Sequence, residues 1–432
     1  MSISSALNAS VSGLNANSSR LATISDNIAN ASTHGYKRSV TTFESMVLSS
    51  AAGAGQYTAG GVRSQATRLI DERGPLIGTS NALDIAVTGR GMLPVTRSAA
   101  GVGEGGLLMT TTGAFRTDEN GVLKTPSGLV LLGWPANGDG TIPTLARDSA
   151  SGLVPVVIDA NQRAGDPTTR MKLGVNLPAT ATAPGASGDA IPLSVEYFGN
   201  LGTSETLEFT FTPTVGATAA SNQWRLEIRD AAQGNAVVGE YVLSFDGSRA
   251  DGGTLSSVTQ VSGGAYDAAE GTVSLNLAGG PLTLTLGKLA DRSGLTQLAD
   301  AFSPLSVTKN GTPVGKLSEV TIDEGGLVRA TYDTGFTRTL YQIPLADVPN
   351  INGLTALDDQ TFRISNDSGA FFLWDAGDGP TGTVEGFARE GSTTDMAEEL
   401  TNLIQTQRAY SSNAKVIQTV DEMLQETTNI KR

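Results

Sequence analysis

Side chains able to do chemistry are scarce in this chain. It has no cysteine and a single histidine, His34. Thiolate nucleophiles, disulfides and thiolate or multi-histidine metal sites are thereby excluded. A Ser–His–Asp arrangement would have to use His34, and other acid–base chemistry would fall to Asp and Glu alone. Asp358-Asp359 and Asp375…Asp378 have the residue types of glycoside hydrolysis, which needs two carboxyls flanking one bond. They stand among turn residues and read as solvated turn aspartates. Gly101-Val102-Gly103-Glu104-Gly105-Gly106 matches G-x-G-x-x-G. A phosphate cradle needs a helix after that pattern, whereas Leu107-Leu108-Met109-Thr110 reads as a strand. Asn137-Gly138-Asp139-Gly140-Thr141 carries calcium-loop residues without an acidic residue at the bidentate position. His34 lies among turn residues at a helix end and reads as capping or exposed. The expectation is no catalytic, cofactor-binding or metal site, no cofactor and no enzyme activity.

The elements around these residues are set by where helix breakers fall. Of 52 glycines, only Gly13 and Gly35 lie in residues 1–49, and none lies in 392–432. The first proline is Pro75 and the last Pro380. Glycine and proline punctuate turns and break helices, so two terminal helices should flank a turn-rich β body. At 432 residues more than one domain is expected. A hydrophobic fraction of 39% is enough for packed cores. With 29 Lys+Arg against 43 Asp+Glu, the net charge of −14 argues against nucleic acid or an anionic membrane as partner. The N-terminus has no basic region followed by an apolar run, so no general secretory signal peptide is expected, and no apolar run is long enough for a membrane span. Lack of cysteine over this length fits a protein that works outside the cell.

In the N-terminal segment Leu7, Val11, Leu14, Leu21, Ile24 and Ile28 form a narrow apolar stripe stepping by threes and fours, the seam of a helix that packs on another helix. The other faces carry Asn and Ser and almost no charge. Gly35 is placed to stop this helix in a left-handed conformation. At the other end Asp395 with Glu398 forms a capping-box pattern, and Glu399 adds charge to the first turn. Lys431 and Arg432 put positive charge at the far end. Met396, Leu400, Leu403, Tyr410, Ala414, Ile417 and Leu424 form the stripe, widened by Ile404 and Val420. About 35 residues at about 1.5 Å each give a rod of about 50 Å. Rods of this length cannot bury a narrow stripe on an ordinary β body. They can bury it against each other and against copies of the chain, so polymerisation through paired termini is expected.

Residues 36–75 are poor in periodicity and read as extended. Short strands follow: Leu83–Val87, a hairpin turning at Asp118-Glu119-Asn120-Gly121, and Leu129–Leu132 after a turn at Pro126-Ser127-Gly128. Further on come Thr206–Phe211, Trp224–Ile228, Tyr241–Phe245, Val273–Leu277 and Leu282–Leu286. Such spacing predicts antiparallel sandwich or barrel domains.

Ser12-Gly13-Leu14-Asn15-Ala16 and Ile24-Ser25-Asp26-Asn27-Ile28-Ala29-Asn30-Ala31-Ser32-Thr33-His34-Gly35-Tyr36-Lys37 resemble the N-terminal signature of the bacterial flagellar rod and hook proteins, with Asn27, Asn30, Gly35, Tyr36 and Lys37 as its signature positions. Glu399–Tyr410 and Ser411–Lys415 resemble the family's C-terminal counterpart. Thr88–Val95, Gly113–Leu123 and Leu131–Trp134 are similar to its first β domain, although Met92-Leu93 stand where the family usually has two aromatics. Val328–Gly335 and Tyr341–Ala346 resemble the returning half of that domain in the hook members.

The resemblance implies a mostly β, α+β chain. Its helical inner-tube domain would be 1–35 with 392–432, its extended linker 36–75 and its first β domain 76–145 with 301–391. An outer β domain, 146–300, would be inserted in the first, so the two are nested and discontinuous. It also implies a non-enzymatic homopolymer, exported unfolded through the flagellar type III apparatus without a cleaved signal and assembled beneath a hook cap protein. The terminal helices would form an inner tube and the β domains outer layers. The hook reading makes the polymer a flexible curved tube, a universal joint passing torque from the rod proteins to the hook–filament junction proteins. A distal-rod subunit is the alternative, and a secreted β-rich hydrolase or adhesin a remote one.

Overall fold

The computed structural model describes residues 3–46 and 59–430. The chain divides into two compact units, one of residues 1–160, 320–330 and 338–432, the other of residues 161–319 and 331–337. The architecture is mostly β with a helix near each end, and no sheet among the described residues closes into a barrel.

The first unit holds both helices, Ile3–Ala29 and Met396–Ile430. The first helix ends earlier than Gly35: the chain leaves it through turns at residues 30–35, and Gly35, the last of them, takes a left-handed φ of +73°. The second starts where Asp395 caps it, its Oδ1 accepting from the amides of Ala397 at 2.8 Å and Glu398 at 3.3 Å. The reciprocal half of a capping box is not formed. The Glu398 carboxylate turns instead to Arg38 Nη1 at 3.1 Å. Lys431 and Arg432 lie outside the described residues.

Residues 36–75 are not simply an extended linker. Ser39–Ser45 and Val62–Arg68 pair as an antiparallel hairpin, in register from Ser39 opposite Arg68 to Ser45 opposite Val62. The hairpin leans on the first helix, with Val62 N donating to Ser12 Oγ at 3.1 Å and the Thr23 and Thr41 hydroxyls 2.9 Å apart. Most of the strand Ser39–Ser45 is exposed, and it lacks the apolar alternation that marks a strand in sequence.

The β body of this unit is built from short strands. Asp84–Thr88 lies between Thr383–Gly386 and Thr112–Ala114, while Val130–Pro135 pairs with Leu93–Thr96 and with Val154–Pro155. Met92, Met109, Leu132, Trp134, Phe362 and Leu373 pack in its core. The expected hairpin turn is present: the Asp118 carboxylate accepts from the amides of Asn120 and Val122, each at 2.9 Å, and Gly121 supplies φ +79°. Residues 146–160, expected in the insert, pack here instead. Val156 N donates to Leu131 O at 2.9 Å and Ile158 N to Gly121 O at 2.8 Å.

The second unit is a two-sheet sandwich. Its 5-stranded sheet runs in chain order through Ile191–Phe198, Ser204–Pro213, Gln223–Asp230, Ala236–Phe245 and Leu255–Ser262. Inward Trp224, Leu226 and Ile228 alternate with more exposed neighbours and meet Leu173, Leu275 and Leu284 of the other sheet. That second sheet departs from the antiparallel expectation. Its strand Arg170–Pro178 runs parallel to Gly280–Thr285 and to Thr296–Leu298, and antiparallel to Ser303–Lys309.

Candidate assembly interface

The residues that could do chemistry are spent on turns and ion pairs. Asp359 pairs with Arg97 at 3.1 Å and Asp375 with Arg147 at 2.6 Å. Asp139 accepts from Thr141 N at 3.0 Å within its own turn. His34 Nδ1 is buried without a hydrogen-bond partner among the described residues. Val102–Gly105 forms a single helical turn and leads into the strand Leu108–Thr110. Among the described residues no group of three or more His, Asp or Glu could hold a metal ion.

The extended surface of the first unit is its helix pair. Contacts between the helices run 13 to 413, 20 to 402 and 27 to 399, so the two are antiparallel. A Cβ built on Gly13 would lie 2.9 Å from Asn413 Nδ2, Arg20 Nη2 donates to Asn402 Oδ1 at 3.1 Å, and Asn27 Nδ2 donates to Glu399 Oε1 at 2.8 Å. Glycine inside a helix costs about 0.5–1 kcal/mol relative to alanine. Here it makes room for the Asn413 amide. The buried or half-buried positions of the first helix that step along the contact with the second include Ser10, Gly13, Asn17, Arg20, Ile24 and Asn27; those of the second include Glu399, Asn402, Thr406, Ala409, Asn413 and Val420. Both sets step by threes and fours, and apart from Ile24 and Val420 both are small or polar. Buried Asn17 and Thr406 bond back to their own helices, to Gly13 O at 2.8 Å and Asn402 O at 2.7 Å.

The apolar stripes read from the sequence are therefore not the seam within the chain. Only Ile24 and Val420 of those residues are fully buried. Leu7, Leu14, Leu21, Ile28, Leu403 and Ile417 are half-buried, and Val11, Leu400, Ile404, Tyr410 and Leu424 are exposed, Ile404 by 51%. Val11, Leu14, Leu21 and Ile28 each follow a seam residue by one position, and so do Leu400, Leu403 and Tyr410. One position is a turn of about 100° around a helix. In an antiparallel pair of right-handed helices that step carries both stripes to the same side. The opposite side of the first helix, one position before the seam, is where Ser12 meets the hairpin. The pair thus has a covered polar side and an open apolar one.

At the base of the pair the signature residues make a buried polar junction. Asn27 Nδ2 also donates to Ser39 O, and Ser39 N returns a bond to Asn27 Oδ1, each at 2.8 Å. The Tyr36 hydroxyl donates to Asp26 Oδ2 at 2.9 Å; burial first and the Asp26 carboxylate second push that phenol well above its usual range. Lys37 Nζ meets Glu390 Oε1 and Glu72 O, each at 2.6 Å, with the two charged side chains 0% and 1% exposed. Burial pulls the Lys37 ammonium down from its usual value, and the Glu390 charge opposes it. Asn30 is peripheral, its amide bonded to Asp26 O at 2.9 Å. Gly35 N donates to Glu390 O at 2.9 Å. Arg38 closes the junction, holding Glu72 through Nε at 2.7 Å. Burial holds the Glu399 carboxyl above its ordinary value. Nothing local marks Glu390 or Glu72 in the sequence, because their partners Lys37 and Arg38 lie 353 and 34 residues away.

The two terminal regions match known families. Residues 7–37 match the family described as Flagella basal body rod protein, and residues 385–430 the one described as Flagellar basal body rod FlgEFG protein C-terminal. Over its whole length the chain is 35% identical to Flagellar hook protein FlgE of Brucella suis biovar 1 (strain 1330), covering all of that protein. It is 34% identical to that of Rhizobium meliloti (strain 1021), again over 100% of both chains, and 29% identical to that of Escherichia coli (strain K12), over 99% of this chain and 100% of the other. The crystal structure of Helicobacter pylori flagellar hook protein FlgE2 aligns with 74% of this chain and 99% of its own, at a TM-score of 0.46 and 13% identity.

Proposed function

Because the chain belongs to the flagellar hook protein family, we propose that it is the structural subunit of a flagellar hook that polymerises into a flexible curved tube. The tube acts as a universal joint between rod and filament. The observation that carries this reading is the open apolar side of the antiparallel helix pair. Full burial of a Leu or Ile side chain contributes about 1.5–3 kcal/mol, and the stripe offers several in a row along both helices. A second copy docking its own helix pair there completes the burial that one chain leaves undone.

In this reading the helical ends, 1–35 and 392–432, form the inner wall of the tube, and the β domains face away from the channel. The subunit leaves the cell unfolded through the flagellar type III apparatus, without a cleaved signal, and is added beneath a cap protein. It contacts rod proteins at one end of the tube and hook–filament junction proteins at the other. No catalysis is part of this role.

The test is polymerisation of the purified full chain, imaged by electron microscopy beside Leu14→Glu and Leu403→Glu. Curved tubes from the parent and none from the variants are expected. Straight rods would assign the chain to the rod, and tubes from both variants would overturn the apolar side of the pair as the face between copies.

A further inference from the structure

We infer that the polar seam is a face-selecting device: it makes the two helices pair through Gly13–Asn413, Arg20–Asn402 and Asn27–Glu399, and so keeps their apolar stripes off each other and free for another copy. The consequence for assembly rests on the hook reading above; the face selection itself does not.

Left to hydrophobicity alone, two helices bearing leucine stripes would turn those stripes together. Here both are turned about 100° away from that arrangement. Three features hold them there. Gly13 lets the Asn413 amide sit close to the first helix, its own Cβ position being 2.9 Å from Nδ2, so that a side chain there would push the amide out of this place. Arg20 has an acceptor across the seam at 3.1 Å. Asn27 bonds Glu399 at 2.8 Å while its other bonds fix the start of the hairpin. Turning the stripes inward would break these bonds and leave the Glu399 carboxyl, now 3% exposed, without its partner. Polar seam residues of this kind trade stability for a single arrangement.

Because the chain has no native cysteine, the face can be read by disulfide trapping in the full chain. The Cβ position of residue 13 lies 3.2 Å from Asn413 Cγ, where a cysteine sulfur would sit. Gly13→Cys with Asn413→Cys should close an intrachain disulfide on mild oxidation, seen as a faster band on a non-reducing gel. Leu14→Cys with Ala414→Cys, one position around on each helix, should not. Adding Arg20→Ala, Asn402→Ala and Glu399→Ala should lower the yield of the first pair and raise that of the second. Glu399→Gln, which keeps an acceptor for Asn27, should not lower the yield of the first pair. No disulfide from the first pair in the parent background would overturn the proposal, as would an undiminished yield after the three alanines. A fall at 13/413 with no gain at 14/414 would also overturn it, since the helices would then part rather than turn. Tube formation, scored in parallel, tests the hook reading separately.

Discussion

Asn27 and Glu399 are 372 residues apart in sequence, and the amide of one donates to the carboxyl of the other at 2.8 Å. The bond joins the last turn of the first helix to the first turn of the second. It also sits next to Ser39, where the hairpin begins, so three elements meet at one asparagine.

Glu399 makes this contact pH-dependent. Its carboxyl is held above the ordinary value by burial, so the paired state binds its proton more tightly than the unpaired state does. The stabilisation is fully present below the unpaired pKa and is lost as pH rises through the raised value. Glu399→Gln should therefore pair its helices more stably than the parent at neutral pH and equally at low pH. Tryptic cleavage of the helical ends, followed against pH in both proteins, checks this; equal protection at neutral pH would contradict it.

Breaking the Lys37–Glu390 pair should be costly, since both side chains are buried. Lys37→Met or Glu390→Leu alone leaves its partner uncompensated, and a loss of about 3–5 kcal/mol is expected in denaturant unfolding. Combining Lys37→Met with Glu390→Leu should recover most of that loss. A double variant as unstable as the sum of the two singles would contradict this account.

How much of this was legible in the sequence differs from element to element. The helices were, because breakers are missing from both ends and Asp395 marks a start. Their faces were not. Apolar spacing shows where leucines fall, but the seam within the chain is built from Gly13, Asn17, Thr406 and Asn413, which hydrophobicity does not register. The hairpin at residues 39–68 was hidden because Thr-Thr-Phe-Glu-Ser and Arg-Ser-Gln-Ala alternate no apolar side chains. Turns fared best: Asp118 to Gly121 fold as their residue types dictate. The parallel pairing of Arg170–Pro178 carries no local mark, since its partners lie far along the chain.

Gly35→Ala should destabilise the junction. Its φ of +73° disfavours any side chain by about 1–2 kcal/mol, and the added methyl would meet Thr112 Cγ2 at 2.9 Å. A drop in the unfolding midpoint of the first unit is expected, with the second unit unchanged.

In the unpolymerised protein the apolar side of the helix pair has no cover. Limited proteolysis should therefore trim residues 1–40 and the region past 390 first, leaving the β units intact. Polymerisation should slow that trimming sharply. Ends that resist protease in a proven monomer would contradict this.

The strand Arg170–Pro178 sets an order of events for a chain that emerges one end at a time. Its partners are Gly280–Thr285, Thr296–Leu298 and Ser303–Lys309, so its sheet cannot close until more than a hundred further residues are free. Closing so long a loop is slow compared with zipping neighbouring hairpins. The meander from Ile191 to Ser262 can build strand by strand, but the sandwich that covers it has to wait. A thread leaving a narrow passage amino end first therefore completes this unit only after most of its length is outside.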